Sequence, residues 1–266
     1  MSADTALLFA ALLLAAIALM SGLWLLQRST GNAGWVDVGW AGGIGAAVIA
    51  LAIASDGLPL RRALVAGLCG VWSLRLTLHI WRRVRRETED GRYAALKAAF
   101  PRHTQLMLLG FYNLQALLVV LFAIPAWIAM NHPSTILNIR DALALGIAVI
   151  AIAGESVADR QLARFRRDPA NRGRTCRDGL WRYSRHPNYF FEWLHWWCYC
   201  AIAAGSGGFW LTLIGPALML YLLLNVTGVP PTEAQALRTR GDDYRRYQQT
   251  TSAFFPWFPR KEPDRG

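Results

Sequence analysis

Residues 5–26 read TALLFAALLLAAIALMSGLWLL, an unbroken run without a charged side chain. A helix needs about 20 mostly apolar residues to cross the hydrocarbon of a bilayer, so this run is long enough to span. The six positions at the start of the chain hold no Lys or Arg and so lack the basic leader of a cleaved signal peptide; the run reads as a retained helix. Six further segments meet or nearly meet the same criterion, at roughly 34–54, 63–81, 104–130, 139–159, 189–205 and 209–227. They cover the chain almost end to end and leave no place for a separate soluble domain. The expected fold is all-α: a polytopic membrane helix bundle of about seven transmembrane helices, one membrane domain over 1–266.

Charge supplies the orientation. Trp81 to Arg102 holds seven Lys or Arg, Arg160 to Arg185 holds nine, and the tail from Gly228 holds seven, together 23 of the 28 basic residues. The opposite loops, 55–62, 131–138 and 206–208, are short and far less basic. Seven helices with the N-terminus outside put all three basic segments and the C-terminus in the cytoplasm, as the positive-inside rule requires. The net charge of +11 is therefore accounted for by topology and contact with anionic lipid, and no nucleic-acid partner is expected. The four cysteines form no C-x-x-C pair and no extracellular framework.

Polar residues inside apolar runs mark candidate chemistry. Gly31-Asn32-Ala33-Gly34-Trp35-Val36-Asp37 places a carboxylate about one turn into the second span. An ionisable group there is costly and points to function, unless Asp37 caps its helix or meets headgroup water. In the third span Trp72, Arg75 and His79 share one helical face; Arg75 is deep enough to seek a carboxylate or phosphate, whereas His79 can snorkel. Glu89 to Tyr93 reads as a turn. Asn113 and Gln115, in the fourth span, serve a ligand or bond neighbouring helices. From Gly154 to Trp193 the density rises: Glu155 and Asp159 four apart, nine arginines, then Asn188 and Glu192 four apart after Pro187. Two polar pairs joined by an arginine-rich loop suit a phosphate-bearing ligand, since the guanidinium fork matches phosphate.

Other chemistries lack their residues. The five histidines form no H-E-x-x-H pair or histidine box, so no metal site is expected. The glycines of Gly39 to Gly45 have no strand–turn–helix context and read as helix packing. No G-x-S-x-G element is present, and no internal repeat of the kind that marks transporters.

Asp178-Gly179-Leu180-Trp181-Arg182-Tyr183-Ser184-Arg185-His186-Pro187-Asn188-Tyr189-Phe190-Phe191-Glu192-Trp193 resembles the signature of the steroid 5-alpha-reductase family, as does the tail from Gly228 through Tyr244 to Pro256-Trp257. The resemblance runs from about Gly154 to Pro259; the N-terminal half is similar mainly in helix count and in Asp37, Trp72 and Arg75. Related membrane sterol reductases and isoprenylcysteine methyltransferases share a C-terminal cofactor module, filled by NADPH in the reductases and by S-adenosylmethionine in the methyltransferases. The resemblance implies NADPH, held by Asp159, Arg166, Asn188 and Glu192, with Tyr183, Arg185, His186, Tyr244 and Arg246 from the loop and tail and Arg92 and Asn113 from the first half. Glu155 departs from the amide found there in the family.

It further implies a substrate half at 1–135 and a cofactor half at 136–266. On the substrate side the family places an acid on the second helix and a tyrosine on the third, which polarise a 3-oxo group. Asp37 matches the acid; Trp72 stands at the tyrosine's place. The implied activity is that of a 3-oxo-5-alpha-steroid 4-dehydrogenase: NADPH-dependent reduction of the 4,5 double bond of a 3-oxo-4-ene steroid or similar lipophilic enone, with Asp37, Trp72 and Arg75 as catalytic candidates and Asp37 protonated against the enone oxygen. The expected setting is the bacterial inner membrane, cofactor site to the cytoplasm, with lipid and a lipophilic small molecule as partners and no obligate protein partner. A methyltransferase using S-adenosylmethionine on a lipid or prenylated substrate is the alternative.

Overall fold

Apolar runs form helices in a bilayer because every backbone N–H and C=O must be satisfied within the segment. The structure, a computed structural model, describes residues 3–260, and no strand occurs among the described residues. In chain order the helices are α1 (Ala3–Thr30), α2 (Trp35–Ala54), α3 (Pro59–Arg86), α4 (Gly91–Ala99), α5 (Thr104–Met130), α6 (Ile139–Arg167), α7 (Pro187–His195), α8 (Trp197–Ala203), α9 (Phe209–Thr212), α10 (Ile214–Tyr221), α11 (Val229–Arg240) and α12 (Asp242–Thr250), with a π-helical turn at Leu222–Val226. The fold is thus an all-helical polytopic bundle. Large apolar side chains such as Leu7 and Leu14 of α1 and Ile53 of α2 point outward, which a water-soluble protein would not tolerate in such numbers.

Among the described residues six helical stretches are long and apolar enough to cross a membrane: α1, α2, α3, α5, α6 and the run Phe209–Arg240. The segment expected as one span at 189–205 is instead two short helices, α7 and α8, interrupted at Trp196, whose N–H bonds back to the Trp193 carbonyl. Polar residues also lengthen helices beyond their apolar windows. The third starts at Pro59, an ordinary first-turn proline, and ends with Arg83, Arg85 and Arg86 in its last turn, where cations complement the helix dipole. The Glu89–Tyr93 stretch is a helix start as well as a turn: the Asp90 carboxylate accepts from the Arg92 backbone N–H at 3.0 Å and caps α4.

The glycines of α2 do pack helices. A Cβ on Gly45 would lie 2.2 Å from Ser73 Oγ of α3, and that hydroxyl donates to the Ala41 carbonyl at 2.7 Å. At the far ends of α3 and α6 a buried ion pair closes the bundle. Arg61, 1% exposed, donates to both oxygens of Asp141 at 2.8 and 3.0 Å and to the carbonyls of His132, Ser134 and Ile136. One guanidinium thereby satisfies a whole loop at a place where unpaired carbonyls would be costly.

Contacts divide the chain into two units. One runs to Asp141 and includes Ile202–Gly215; the other comprises Ala142–Ala201 and the chain from Pro216 onward. Each carries one cluster of candidate functional residues.

Candidate functional site

In the first unit the chemistry gathers around Asp37. The loop before α2 is fixed from three directions: Tyr112 of α5 donates to the Ala33 carbonyl at 2.8 Å, Glu89 accepts from the Ala33 N–H at 2.6 Å, and Lys97 donates to both Glu89 and the Gly31 carbonyl. Gly34 is the N-cap of α2 and no side chain caps it, so Asp37 is not a capping residue. Its carboxylate faces α4. The Tyr93 hydroxyl donates to Asp37 Oδ1 at 2.7 Å, the Arg92 guanidinium donates to Oδ2 at 3.3 Å, and Arg83 stands 3.9 Å from Oδ2. Asp90 accepts from Nε and from the same Nη2 of Arg92, each at 3.1 Å. Burial opposes the Arg92 charge, but Asp37 and Asp90 more than offset it and hold the side chain above its usual pKa. Burial and the adjacent Asp37 raise the Tyr93 phenol well above its usual value, so at neutral pH it keeps its proton and remains a donor. Burial alone would raise Asp90; Arg92 and Arg83 hold it below the ordinary carboxylate range.

The family pattern casts Asp37 as an acid donating to a substrate; in the structure its oxygens accept from a phenol and pair with arginine. Arg92, expected on the cofactor, belongs to this cluster, and Tyr93 was not among the candidates at all. Trp72 is fully buried with its ring edge-on to Trp40 at 6.1 Å, which makes it part of the aromatic core with Phe122. Arg75 is half-buried one turn further along α3. Asn113 lies on α5, its Nδ2 donating to the Leu109 carbonyl; its buried Oδ1 has no hydrogen-bond partner among the described residues.

In the second unit α7 is drawn against α6 because Gly154 has no side chain: a Cβ there would sit 2.5 Å from the Phe191 ring. That approach brings Asn188 Nδ2 to 3.4 Å from Asp159 Oδ1. The buried Asn188 Oδ1 has no hydrogen-bond partner among the described residues. Glu192, one turn beyond, is half-buried. The loop leading to α7 returns to α6 at Gly179, where φ is +59° and a Cβ would collide with Gln161. Gln161 there accepts from the Leu180 N–H, and the Trp181 indole donates to the Ala158 carbonyl.

The tail is bound to this loop through Glu233 of α11. Glu233 Oε1 accepts from Arg185 at 2.7 Å and lies 3.2 Å from His186 Nε2, while Oε2 accepts from Gln248. Arg185 also donates to the Gln248 and Thr251 carbonyls, and Tyr247 donates to the carbonyls of Trp181 and Ser184. The His186 ring stacks on Tyr189 at 5.2 Å; burial depresses its pKa, although Glu233 pulls the other way. Tyr244 is buried edge-on to Tyr247, and burial, helped by Glu233, raises its phenol. Arg185, His186 and Tyr244 thus spend polar atoms on building the loop–tail frame, in which Glu233, not singled out from sequence, is the hub. Tyr183 is exposed beside Phe258, and Arg246 is exposed 3.8 Å from Asp243.

Beyond Asp159 the frame leaves a cavity of about 470 Å³, lined by Arg166, Arg167, Arg172, Arg174 and Arg240 against a single carboxylate, Asp168. So many guanidinium groups around one opening repel each other unless an anion joins them, and they present the forks that phosphate oxygens accept. Of these five only Arg166 was named from sequence. Arg240 comes from the far end of the chain and could be found only once α11 had folded back.

A family model described as a protein of unknown function, DUF1295, matches residues 23–251. An uncharacterized protein of Schizosaccharomyces pombe is 27% identical over 226 residues, 74% of this chain; the chain spans 63% of that relative's length. No solved structure matches the chain.

Proposed function

The chain belongs to the DUF1295 family, and we propose that it is an NADPH-dependent membrane reductase of the conjugated double bond in a lipophilic enone, of which a 3-oxo-4-ene steroid is one chemical form. The observation that carries this reading is the arginine cavity: five arginines around about 470 Å³ suit a ligand with several phosphate groups. NADPH has three, whereas S-adenosylmethionine has none. The orphaned Asn188 Oδ1 beside Asp159 adds an acceptor for a ligand amide or hydroxyl. Arg166, Arg167, Arg172, Arg174 and Arg240 would hold the phosphates, with Asn188, Asp159 and Glu192 on the rest of the cofactor. When bound, NADPH supplies a hydride for the β carbon of the enone.

The residues of the first unit would handle the developing enolate. Reduction places negative charge on the enone oxygen before the α carbon takes a proton, so a fixed donor aimed at that oxygen lowers the barrier. Tyr93 serves as such a donor once its single O–H turns from Asp37 to the enone oxygen. Asp37 and Arg92 act on it as positioning groups: Asp37 accepts its hydrogen bond in the resting site, and Arg92 adds positive charge next to the oxygen. The position matches in chemical sense the acid and tyrosine of the steroid reductases, with Tyr93 in place of Trp72. The surrounding apolar helices would admit substrate from lipid and exclude water. The basic loops favour a cytoplasmic cofactor side, in a bacterium the inner membrane.

The test is turnover. Detergent-purified protein with NADPH and a 3-oxo-4-ene steroid should consume one NADPH for each saturated ketone formed. Methylation of a lipid acceptor with S-adenosylmethionine, and no reduction across a panel of enones, would sink the proposal.

A further inference from the structure

A second arginine-lined cavity, separate from the phosphate cleft, lies where the second unit meets the edge of the hydrocarbon. Helix rise fixes that level. At about 1.5 Å per residue, the 20 residues from Ile139 to Ala158 cover about 30 Å, one hydrocarbon thickness. The Trp181 indole is bonded to the Ala158 carbonyl, so the turn at Gly179–Arg182 lies at the boundary. The Tyr183 carbonyl in turn accepts from the Trp257 N–H at 2.9 Å, which sets the C-terminal strip at the same height.

That strip is unusual in what it exposes. Phe254 is buried against Phe190 and Trp193, but Phe255, Trp257 and Phe258 are 51, 72 and 77% exposed. Three neighbouring aromatic rings turned outward would be a poor surface in water and a good one among headgroups, where aromatic belts sit. Beside them is a cavity of about 410 Å³ lined by Arg177, Arg182 and Arg260 with one carboxylate, Asp178. Arg177 is engaged by Asp243 at 3.1 Å. Arg182 and Arg260 are exposed, and neither guanidinium has a bonded partner among the described residues.

We propose that this strip and cavity form a binding site for an anionic phospholipid: Arg182 and Arg260 take the headgroup phosphate, and Trp257 and Phe258 enter the acyl boundary beside it. The excess of positive charge selects anionic over zwitterionic headgroups. Apolar rings continuous with the basic cavity select a lipid over a free phosphate, in contrast to the first cavity, which is built from Leu162 to Cys176 and α11, further along α6 from the boundary. The site anchors the tail that carries the Glu233 hub and does not depend on the reaction proposed above.

Native mass spectrometry of the detergent-purified full chain reads this directly, with phosphatidylglycerol and phosphatidylcholine titrated separately. Phosphatidylglycerol adducts should be favoured, and inorganic phosphate should not displace them. Arg182→Gln with Arg260→Gln should weaken phosphatidylglycerol retention about thirty-fold without altering phosphatidylcholine, whereas Arg85→Gln with Arg86→Gln, an equal charge change elsewhere, should not. Trp257→Ala with Phe258→Ala should weaken both lipids. Unchanged retention in the first double variant, or displacement by inorganic phosphate, overturns the proposal. Should the variants fail to fold, photoactivatable phosphatidylglycerol on the wild-type protein decides it: label on the peptide 250–260 is expected, and label confined to other segments contradicts it.

Discussion

The Tyr93 hydroxyl donates to Asp37 Oδ1 at 2.7 Å, joining a residue at the start of a short loop helix to one in the first turn of a spanning helix 56 positions earlier. Tyr93 is 4% exposed, and burial together with Asp37 keeps it protonated. If this phenol stabilises charge on a substrate oxygen, Tyr93→Phe should lower turnover at least ten-fold, about 1.4 kcal/mol in the barrier, while NADPH binding stays as it was. Near-normal turnover in Tyr93→Phe would remove it from the mechanism.

Asp37→Asn tests the positioning role beside it. The amide cannot pair with Arg92, so turnover should again fall at least ten-fold, roughly 1.4 kcal/mol. The two changes should not add, because residues acting as one unit give non-additive losses. A double variant whose loss equals the product of the single losses would show that Asp37 and Tyr93 act independently.

The phosphate cleft predicts a different pattern. Each charge-assisted hydrogen bond contributes about 1.5–3 kcal/mol, so Arg166→Gln or Arg240→Gln should weaken NADPH binding at least ten-fold. Calorimetric titration of each variant checks this. Equal affinity in wild type and both variants would place the phosphates elsewhere.

Stability should fall on the acid side in part through His186. Its folded-state pKa is depressed, first by burial, despite Glu233. A group whose folded pKa lies below its unfolded value, about 6.5 for histidine, contributes stability that is present above that pH and lost as pH falls, because the unfolded chain then binds the proton more readily. The melting temperature of the wild type should therefore drop more steeply than that of His186→Gln between about pH 7 and 5.5. Parallel slopes would show that His186 contributes nothing to the linkage.

Arg61→Leu removes the guanidinium from the Asp141 carboxylate and from three loop carbonyls, and breaking a buried pair costs roughly 3–5 kcal/mol. The expected result is a large loss of thermal stability. A melting temperature unchanged from wild type would mean the clamp adds nothing to the fold.

What could be read from the sequence follows from range. Apolar length gave the helical bundle, and the glycines of α2 read as packing contacts, whereas their partner in α3 came only with the structure. Spacings of four gave a polar face on α6 and another on α7, though not the Asp159–Asn188 contact itself. Hydropathy could not see α6 running on to Arg167 or the break at Trp196, because neither is a matter of apolar content. The longer-range partners were out of reach: Tyr93 looked like part of a turn, Glu233 like one of several polar tail residues, and Arg61 like part of the short loop 55–62. Each takes its role from a partner 48 to 80 positions away, and a single sequence carries no signal of such pairings.

The most direct test of the central claim is ligand-induced thermal stabilisation of the purified protein with NADPH, NADH and S-adenosylmethionine at equal concentrations. Stabilisation rises with ligand concentration over its dissociation constant, so the ligand that fits the arginine cleft should separate from the others. A shift with NADPH, a smaller one with NADH, which lacks the third phosphate, and none with S-adenosylmethionine is the predicted result. A shift with S-adenosylmethionine alone would contradict it and assign the same fold to methyl transfer.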